Sequence, residues 1–274
     1  MVSSPNCKIN LGLNITGKRT DGYHDLETCF LPVGLKDELE IIPSDTPKMQ
    51  FTNLGTQIVG DISKNLCIQA YQLIKEAFPD KIKPLHITLN KIIPMGAGLG
   101  GGSADGAFTL LMMNEYLGLN LSQEQLIEFA LILGSDCPFF IMNKPCIAKG
   151  RGELLEPSAV NLSGYKVLIV NPGIHIATRW AFEQITPKQP AKSIQEIILQ
   201  PINTWQKELV NDFEGPVSRV HHNILAIKRE LISKGAAYAS MTGSGSTVFG
   251  LFKKVDLKQF SFPKNFLVKV ADIL

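Results

Sequence analysis

Residues 94–105 read PMGAGLGGGSAD, with five glycines between Gly96 and Gly102. Glycine-rich backbone reaches positive φ and lets the chain approach a ligand closely, so several N–H groups can point at one anion. The chemistry suited to this stretch is phosphate binding. A plain flexible loop has no need of so many glycines, each costing roughly 0.5–1 kcal/mol where regular structure would serve. The flanking elements are those the chemistry requires. Residues 85–93 alternate apolar and polar, the period of a half-buried strand, while Ala107, Leu110, Leu111, Asn114 and Leu117 recur at helical spacing after Ser103. A helix start at the end of a glycine loop adds unpaired N–H donors and the positive end of the helix dipole.

Gly96, Gly98 and Gly101 formally satisfy G-x-G-x-x-G. A dinucleotide fold needs a second strand after the helix, ending near an acidic ribose binder. Residues 123–133 read instead as another helix, capped by Ser122. No G-x-x-x-x-G-K-[ST] occurs, nor the H-R-D and D-F-G of protein kinases.

The stretch resembles the P-x-x-x-G-L-G-S-S-A-A loop of the GHMP kinases. Pro94 and Gly98-Leu99-Gly100 match, and Gly101 and Gly102 stand where two serines are usual. Its Gly-Leu-Gly-Gly-Gly-Ser form is similar to that of the diphosphocytidyl-methylerythritol kinase branch. Four more motifs resemble that branch, in order. Cys7-Lys8-Ile9-Asn10-Leu11 with Asp21-Gly22-Tyr23-His24 is similar to its amino-terminal signature. Residues 134–140 resemble its Gly-[AS]-Asp-[VCI]-Pro-Phe-Phe, and residues 172–182 its Pro-Gly-x-x-[IV]-x-Thr-x-x-x-Phe. Residues 241–249 resemble the third GHMP motif, Met-[ST]-Gly-Ser-Gly-x-x-x-Phe. The resemblance spans Asn6 to Phe249.

This resemblance implies an α+β chain with the two-domain GHMP kinase fold. An ATP-binding domain like ribosomal protein S5 domain 2 would cover residues 1–157, and a ferredoxin-like domain residues 158–274, with ATP and substrate meeting between them. It implies that Pro94, Met95, Gly96, Ala97, Gly98, Leu99, Gly100, Gly101, Gly102 and Ser103 hold the ATP phosphates. Asn65 and Lys91 would lie at the adenine. Lys8 and Asp136 would be catalytic, Asp136 as general base for the accepting hydroxyl, with Asn10 at the sugar-alcohol end. Tyr23 would stack on cytosine, Phe182 would close its other face, and His24 would bond its edge. Thr178 shares a helix face with Phe182 at i, i+4, and Gly243 and Ser244 belong to a loop against substrate and phosphates. Mg2+ would bridge two phosphates. No residue is assigned to it, and with Gly101, Gly102 and Ala104 replacing serines, Ser103 is the remaining nearby hydroxyl.

The implied reaction is ATP-dependent phosphorylation of the 2-hydroxyl of 4-diphosphocytidyl-2-C-methyl-D-erythritol, in non-mevalonate isoprenoid synthesis. The alternatives are a GHMP kinase of homoserine or mevalonate type, and a nucleotide-binding regulator without catalysis. Those other kinases have no reason for a base sandwich, and retention of both Lys8 and Asp136 speaks against the regulator.

The remaining elements follow from pattern. Residues 6–15 read as a strand with Lys8, Asn10 and Gly12 on one face, where a lysine is ordinarily a solvated edge residue. A second strand covers 24–32, and a meander of short strands 37–60. Asn65 caps a helix to Phe78 whose apolar stripe is Leu66, Ala70, Leu73, Ile74 and Ala77. Residues 150–153 form a turn between strands to which no chemistry is assigned, and 165–170 a buried strand. Residues 186–203 read as a surface excursion, and 216–234 as one helix ended by Gly235.

With 45% hydrophobic and 19% charged residues in 274, the chain is an ordinary globular protein. A net charge of +2 without a basic run argues against nucleic acid, and no stretch approaches the ~18 apolar residues of a membrane span. The five cysteines are odd in number and form no C-x-x-C pair, which reads as reduced thiols. With no secretion or organelle signal visible, the expected location is cytoplasmic. The expected partner is a small molecule, and no feature sets an oligomeric state.

Overall fold

The computed structural model describes residues 1–58 and 60–274. Val59, inside the predicted 37–60 meander, lies outside them. The chain forms two compact units, each discontinuous in sequence: Met1–Cys7, Lys36–Met95 and Gly100–Asn143 in one, Lys8–Leu35, Gly96–Leu99 and Lys144–Leu274 in the other.

The first unit holds β1 (Val2–Ser3), β4 (Glu38–Pro43), β5 (Gln50–Gly55) and β6 (Leu85–Lys91) in one sheet of order β1-β4-β6-β5. The α-helices that accompany it are α1 (Leu66–Ala77), α2 (Gly101–Tyr116), α3 (Gln123–Leu133) and α4 (Cys137–Met142). The residues between Lys36 and Gly55 are not a meander. β4 pairs antiparallel with β6 (Leu39 opposite Leu89) while β5 pairs with β6 in parallel (Thr52 opposite Thr88), so β6 lies between them. A parallel pair needs a crossover, and α1 supplies it. The α1 stripe differs from the predicted one: Cys67, Ile68, Ala70, Tyr71 and Ile74 are buried, whereas Ala77 is exposed. Ser122 caps α3 as expected, and Gln125 completes a capping box with it. Gly106 lets α2 press against α1, since a Cβ there would meet Leu66 at 2.8 Å.

In the second unit β2 (Asn6–Lys18), β3 (His24–Lys36), β7 (Cys146–Lys149) and β8 (Leu154–Pro157) form a sheet in that order. β9 (Lys166–Asn171), β10 (Tyr238–Met241), β11 (Val248–Phe252) and β12 (Leu267–Asp272) form another, of order β10-β11-β9-β12. Its helices are α5 (Thr178–Glu183), α6 (Ile194–Ile198), α7 (Ile202–Glu208), α8 (Glu214–Val220) and α9 (His222–Ser233). A core cluster joins Leu168, Val170, Phe213, Ile224, Ile227 and Met241.

β2 is buried on both faces, and Lys8, expected to be catalytic, is 4% exposed. Two expectations need correction here. Residues 186–203 are not a mere surface excursion, because α6 and the start of α7 bury Ile194, Ile197, Ile198 and, further on, Trp205. The predicted helix over 216–234 is two helices that part at His221, with Val220 58% exposed. All five cysteines are buried and unpaired with one another, and burial pushes the Cys29 and Cys146 thiols up to about 12. No helix among the described residues is long and apolar enough to cross a membrane.

Candidate active site

The glycine loop joins β6 to α2. Ala97 and Leu99 are buried and tether it, while Met95, Gly96 and Gly102 are exposed. Gly100 is the N-cap of α2 in the left-handed region (φ 69°) and brings no side-chain cap, so the N–H groups of the first turn have none. That is the arrangement an anion needs. Gly96–Leu99 is laid against the second unit's own strands. Lys8 N donates to Leu99 O at 2.9 Å, and Thr247 N to Ala97 O at 3.3 Å. At Gly98 a side chain is excluded, since a Cβ would fall 2.1 Å from the Thr242 carbonyl oxygen.

That contact brings the second glycine loop, residues 242–247 between β10 and β11, onto the first. Asn211 holds it from behind: its Nδ2 donates to Met241 O at 2.8 Å and Gly243 O at 2.9 Å, and its Oδ1 accepts from Phe213 N at 3.0 Å. Ser244 Oγ lies 3.4 Å from Thr178 Oγ1 at the start of α5.

Thr242 also reaches the polar face of β2. Its Oγ1 accepts the Asn10 N–H at 3.0 Å and lies 3.0 Å from both Asn10 Oδ1 and Gly98 O, with one proton to give between them. Asn10 Oδ1 accepts from Lys8 Nζ at 2.8 Å, and Asn10 Nδ2 donates to Thr28 Oγ1 at 3.0 Å. Lys8 Nζ lies 4.5 Å over the Phe30 ring. A buried ammonium is thus held by an amide oxygen and a ring face.

Asp136, in the first unit, is the N-cap residue of α4, yet its carboxylate makes no capping bond there. The following Cys137 thiol is pushed up to about 12 by burial, against the pull of a hydrogen bond from Ser103. Asn65 caps α1 through Oδ1, which accepts from Cys67 N at 2.9 Å. Lys91 differs from expectation. Its side chain is 1% exposed and its ammonium is bound to Asp37 and, at 2.8 Å, to Asp105, so it is not offered to a nucleotide. Burial alone would lower its pKa, but the two carboxylates outweigh it and hold the ammonium above its ordinary value.

The predicted base site lies within the second unit. Tyr23 is 55% exposed, with its N–H on Asp21 Oδ1 at 3.0 Å and its carbonyl accepting from Arg19 N at 2.8 Å. That N–H holds the Asp21 carboxyl below its ordinary value. The Arg151 guanidinium covers the Tyr23 ring at 4.8 Å. His24 stacks on Phe182 with centroids 5.0 Å apart and planes at 24°, and Phe182 meets the edge of Phe213 at 4.9 Å. His24 therefore covers one face of Phe182.

Comparison with known proteins shows the family. The family model of the GHMP kinases N terminal domain matches residues 65–144, and that of the GHMP kinases C terminal domain residues 193–261. The 4-diphosphocytidyl-2-C-methyl-D-erythritol kinase of Bacteroides fragilis is 50% identical over 254 residues, 92% of each chain. The chain belongs to the 4-diphosphocytidyl-2-C-methyl-D-erythritol kinases, a family of GHMP kinases. These are ATP-dependent kinases. A crystal structure of a 4-(cytidine 5'-diphospho)-2C-methyl-D-erythritol kinase superposes with a TM-score of 0.74 at 31% identity, over 92% of this chain and 90% of that one. Mevalonate kinase of Methanococcus jannaschii reaches a TM-score of 0.70 at 13% identity, over 100% and 98% of the two chains, a likeness of fold alone.

Thr242, Asn211 and Arg151 were not predicted as site residues. Thr242 lies inside the motif read at 241–249 and Asn211 in none, and a side chain's reach to a distant carbonyl leaves no periodic trace. Arg151 lies in a turn between β7 and β8 to which no chemistry was assigned.

Proposed function

We propose that the protein transfers the γ-phosphoryl group of ATP to the 2-hydroxyl of 4-diphosphocytidyl-2-C-methyl-D-erythritol, a step of non-mevalonate isoprenoid synthesis. What carries this reading is the pairing, in one chain, of a glycine loop opening α2 with an aromatic site at Tyr23, His24 and Phe182. A kinase of a bare alcohol has no use for the second.

Phosphoryl transfer is mainly positioning and charge stabilisation. The N–H groups at Gly101, Gly102 and Ser103, with the dipole of α2, bind the phosphates, and Asn65 and the loop residues 94–100 shape the nucleotide site. Asp136 takes the proton of the 2-hydroxyl. The freed oxygen bonds to the γ-phosphorus, the bond from that phosphorus to the β,γ-bridging oxygen breaks, and ADP leaves. Lys8 orients the hydroxyl, and Asn10 and Thr28 fix Lys8 in turn. Tyr23 and Phe182 hold the cytosine with His24, and Thr178, Gly243 and Ser244 line the path of the substrate.

The described residues contain no cluster of three His, Cys, Asp or Glu side chains that could cage a metal ion. Mg2+ itself keeps several waters and is held mostly by substrate phosphates. Ser103, the remaining hydroxyl near the loop, would hold it, and the ion would neutralise charge on the β- and γ-phosphates.

Phosphorus NMR of the product tests the reading. The cytidylyl ester with ATP and Mg2+ is expected to gain one phosphomonoester at the 2-position with its diphosphate intact. Release of inorganic phosphate without that signal would contradict it.

A further inference from the structure

The two ends of the phosphate loop are joined beneath it by three buried charges. Asp37 precedes β4, Lys91 ends β6, and Asp105 stands on α2. Their side chains are 0%, 1% and 4% exposed. Lys91 Nζ donates to Asp37 Oδ2 and Asp105 Oδ2. Asp37 Oδ1 accepts from Ile92 N at 2.5 Å and Ile93 N at 2.8 Å, the two residues that enter the loop. Gly101, the first residue of α2, packs directly on this group: a Cβ there would lie 2.9 Å from Lys91 Nζ and 2.8 Å from Ile93 Cγ2. That explains a glycine where related loops carry serine.

The electrostatics would be simpler with one carboxylate. Two acids around one ammonium leave excess negative charge near an anion site, and Asp105 Oδ1 has no hydrogen-bond partner among the described residues. A buried, half-satisfied carboxylate is costly. Geometry accounts for it: Asp37 holds the incoming backbone, Asp105 holds the helix, and Lys91 ties the two across a loop that is otherwise mostly glycine.

We propose that Asp37, Lys91 and Asp105 are positioning residues for nucleotide binding, a buried clasp that sets the first turn of α2 against the entering strand before phosphate arrives. This rests on the reading of the loop as the ATP site. It is tested by calorimetric titration with a non-hydrolysable ATP analogue, alongside steady-state kinetics. Lys91→Met and Asp105→Leu are expected to raise Kd and KM for the nucleotide by about tenfold or more, while kcat at saturation and KM for the cytidylyl ester stay within about threefold. Asp105→Asn, which keeps an acceptor for the ammonium, is expected to recover most of the affinity lost in Asp105→Leu. If Lys91→Met does not fold, Asp37→Asn takes its place, since it keeps an oxygen for the Ile92 and Ile93 N–H groups and gives up only the charge. Folded variants with wild-type nucleotide affinity would overturn the clasp, as would a wild type that binds no nucleotide. A wild type that binds the analogue but leaves the cytidylyl ester unphosphorylated would remove the proposed substrate and leave the clasp to be decided by the variants' Kd.

Discussion

Gly98 and Thr242 touch through their backbones, with 2.1 Å between the Thr242 carbonyl oxygen and the place a Gly98 side chain would begin. Thr242 Oγ1 lies 3.0 Å from the Gly98 carbonyl oxygen, and Gly243 packs on the other side of the contact with its would-be Cβ 3.0 Å from Gly98 Cα. Gly98 also has φ +78°, a region other residues seldom adopt. The glycine loops of residues 96–99 and 242–247 are therefore one structural piece within the second unit.

Gly98→Ala is accordingly expected to raise KM for ATP by more than about tenfold and to lower Tm, because either backbone must give way. Gly215→Ala on α8, where nothing lies within 4 Å of the added carbon, is the control and should leave both unchanged. Equal behaviour of the two variants in the kinetic assay would contradict the fused-loop account.

Removing the proposed proton acceptor or the buried ammonium should strike kcat. Asp136→Asn and Lys8→Ala are each expected to lose at least ~10²-fold in turnover, the usual contribution of a general base being ~10²–10⁴. Lys8→Ala also strips a donor from Asn10 Oδ1, so its Tm should be measured beside its rate. Near wild-type turnover in a folded variant would remove that residue from the chemistry.

Much of this was legible in the sequence. β6, α2 and α3 follow from alternation, helical spacing and the Ser122 cap, each a local signal. Lys8 was not legible as a buried residue, because a strand covered on both faces shows the same alternation as an edge strand. The placement of β6 between β4 and β5 is a matter of which distant strand pairs with which, and no local pattern encodes it. The same holds for Lys91. Its position ahead of the loop is plain, but the carboxylates that claim its ammonium lie 54 and 14 residues away.

The clasp should also leave a mark on stability. Burial, with the charge of Asp37, pushes the Asp105 carboxyl up to about 7 from its ordinary 3.8, against the pull of Lys91; the groups facing it are Lys91, Asp37 and the Cys67 thiol of α1. Between those values the folded protein holds a proton that the unfolded chain has released. The group's contribution is whole below about pH 4 and is lost as pH rises to about 7. Melting curves should therefore show wild type losing Tm relative to Asp105→Asn between about pH 4 and 7. Parallel Tm profiles across that range would mean that Asp105 is ionised in the fold throughout.

The base site predicts a selective loss. Tyr23→Ala and Phe182→Ala are expected to lower kcat/KM for the cytidylyl ester by about one to two decades, in keeping with roughly 1–3 kcal/mol for stacking on a base. Arg151→Ala, which frees the Tyr23 ring from its guanidinium cover, should show a smaller loss in the same direction. ATP affinity should not change in any of them, and a matching loss for ATP would place these rings elsewhere than at the base.

Substrate choice is the central claim, and ADP release by the wild type across a panel of alcohols measures it most directly. The panel sets 4-diphosphocytidyl-2-C-methyl-D-erythritol beside free methylerythritol, mevalonate and homoserine, each with ATP and Mg2+. The account predicts ready turnover of the cytidylyl ester and scarcely any of the three bare alcohols, because only the ester can engage Tyr23, His24 and Phe182. A bare alcohol turned over as well as the ester would contradict it.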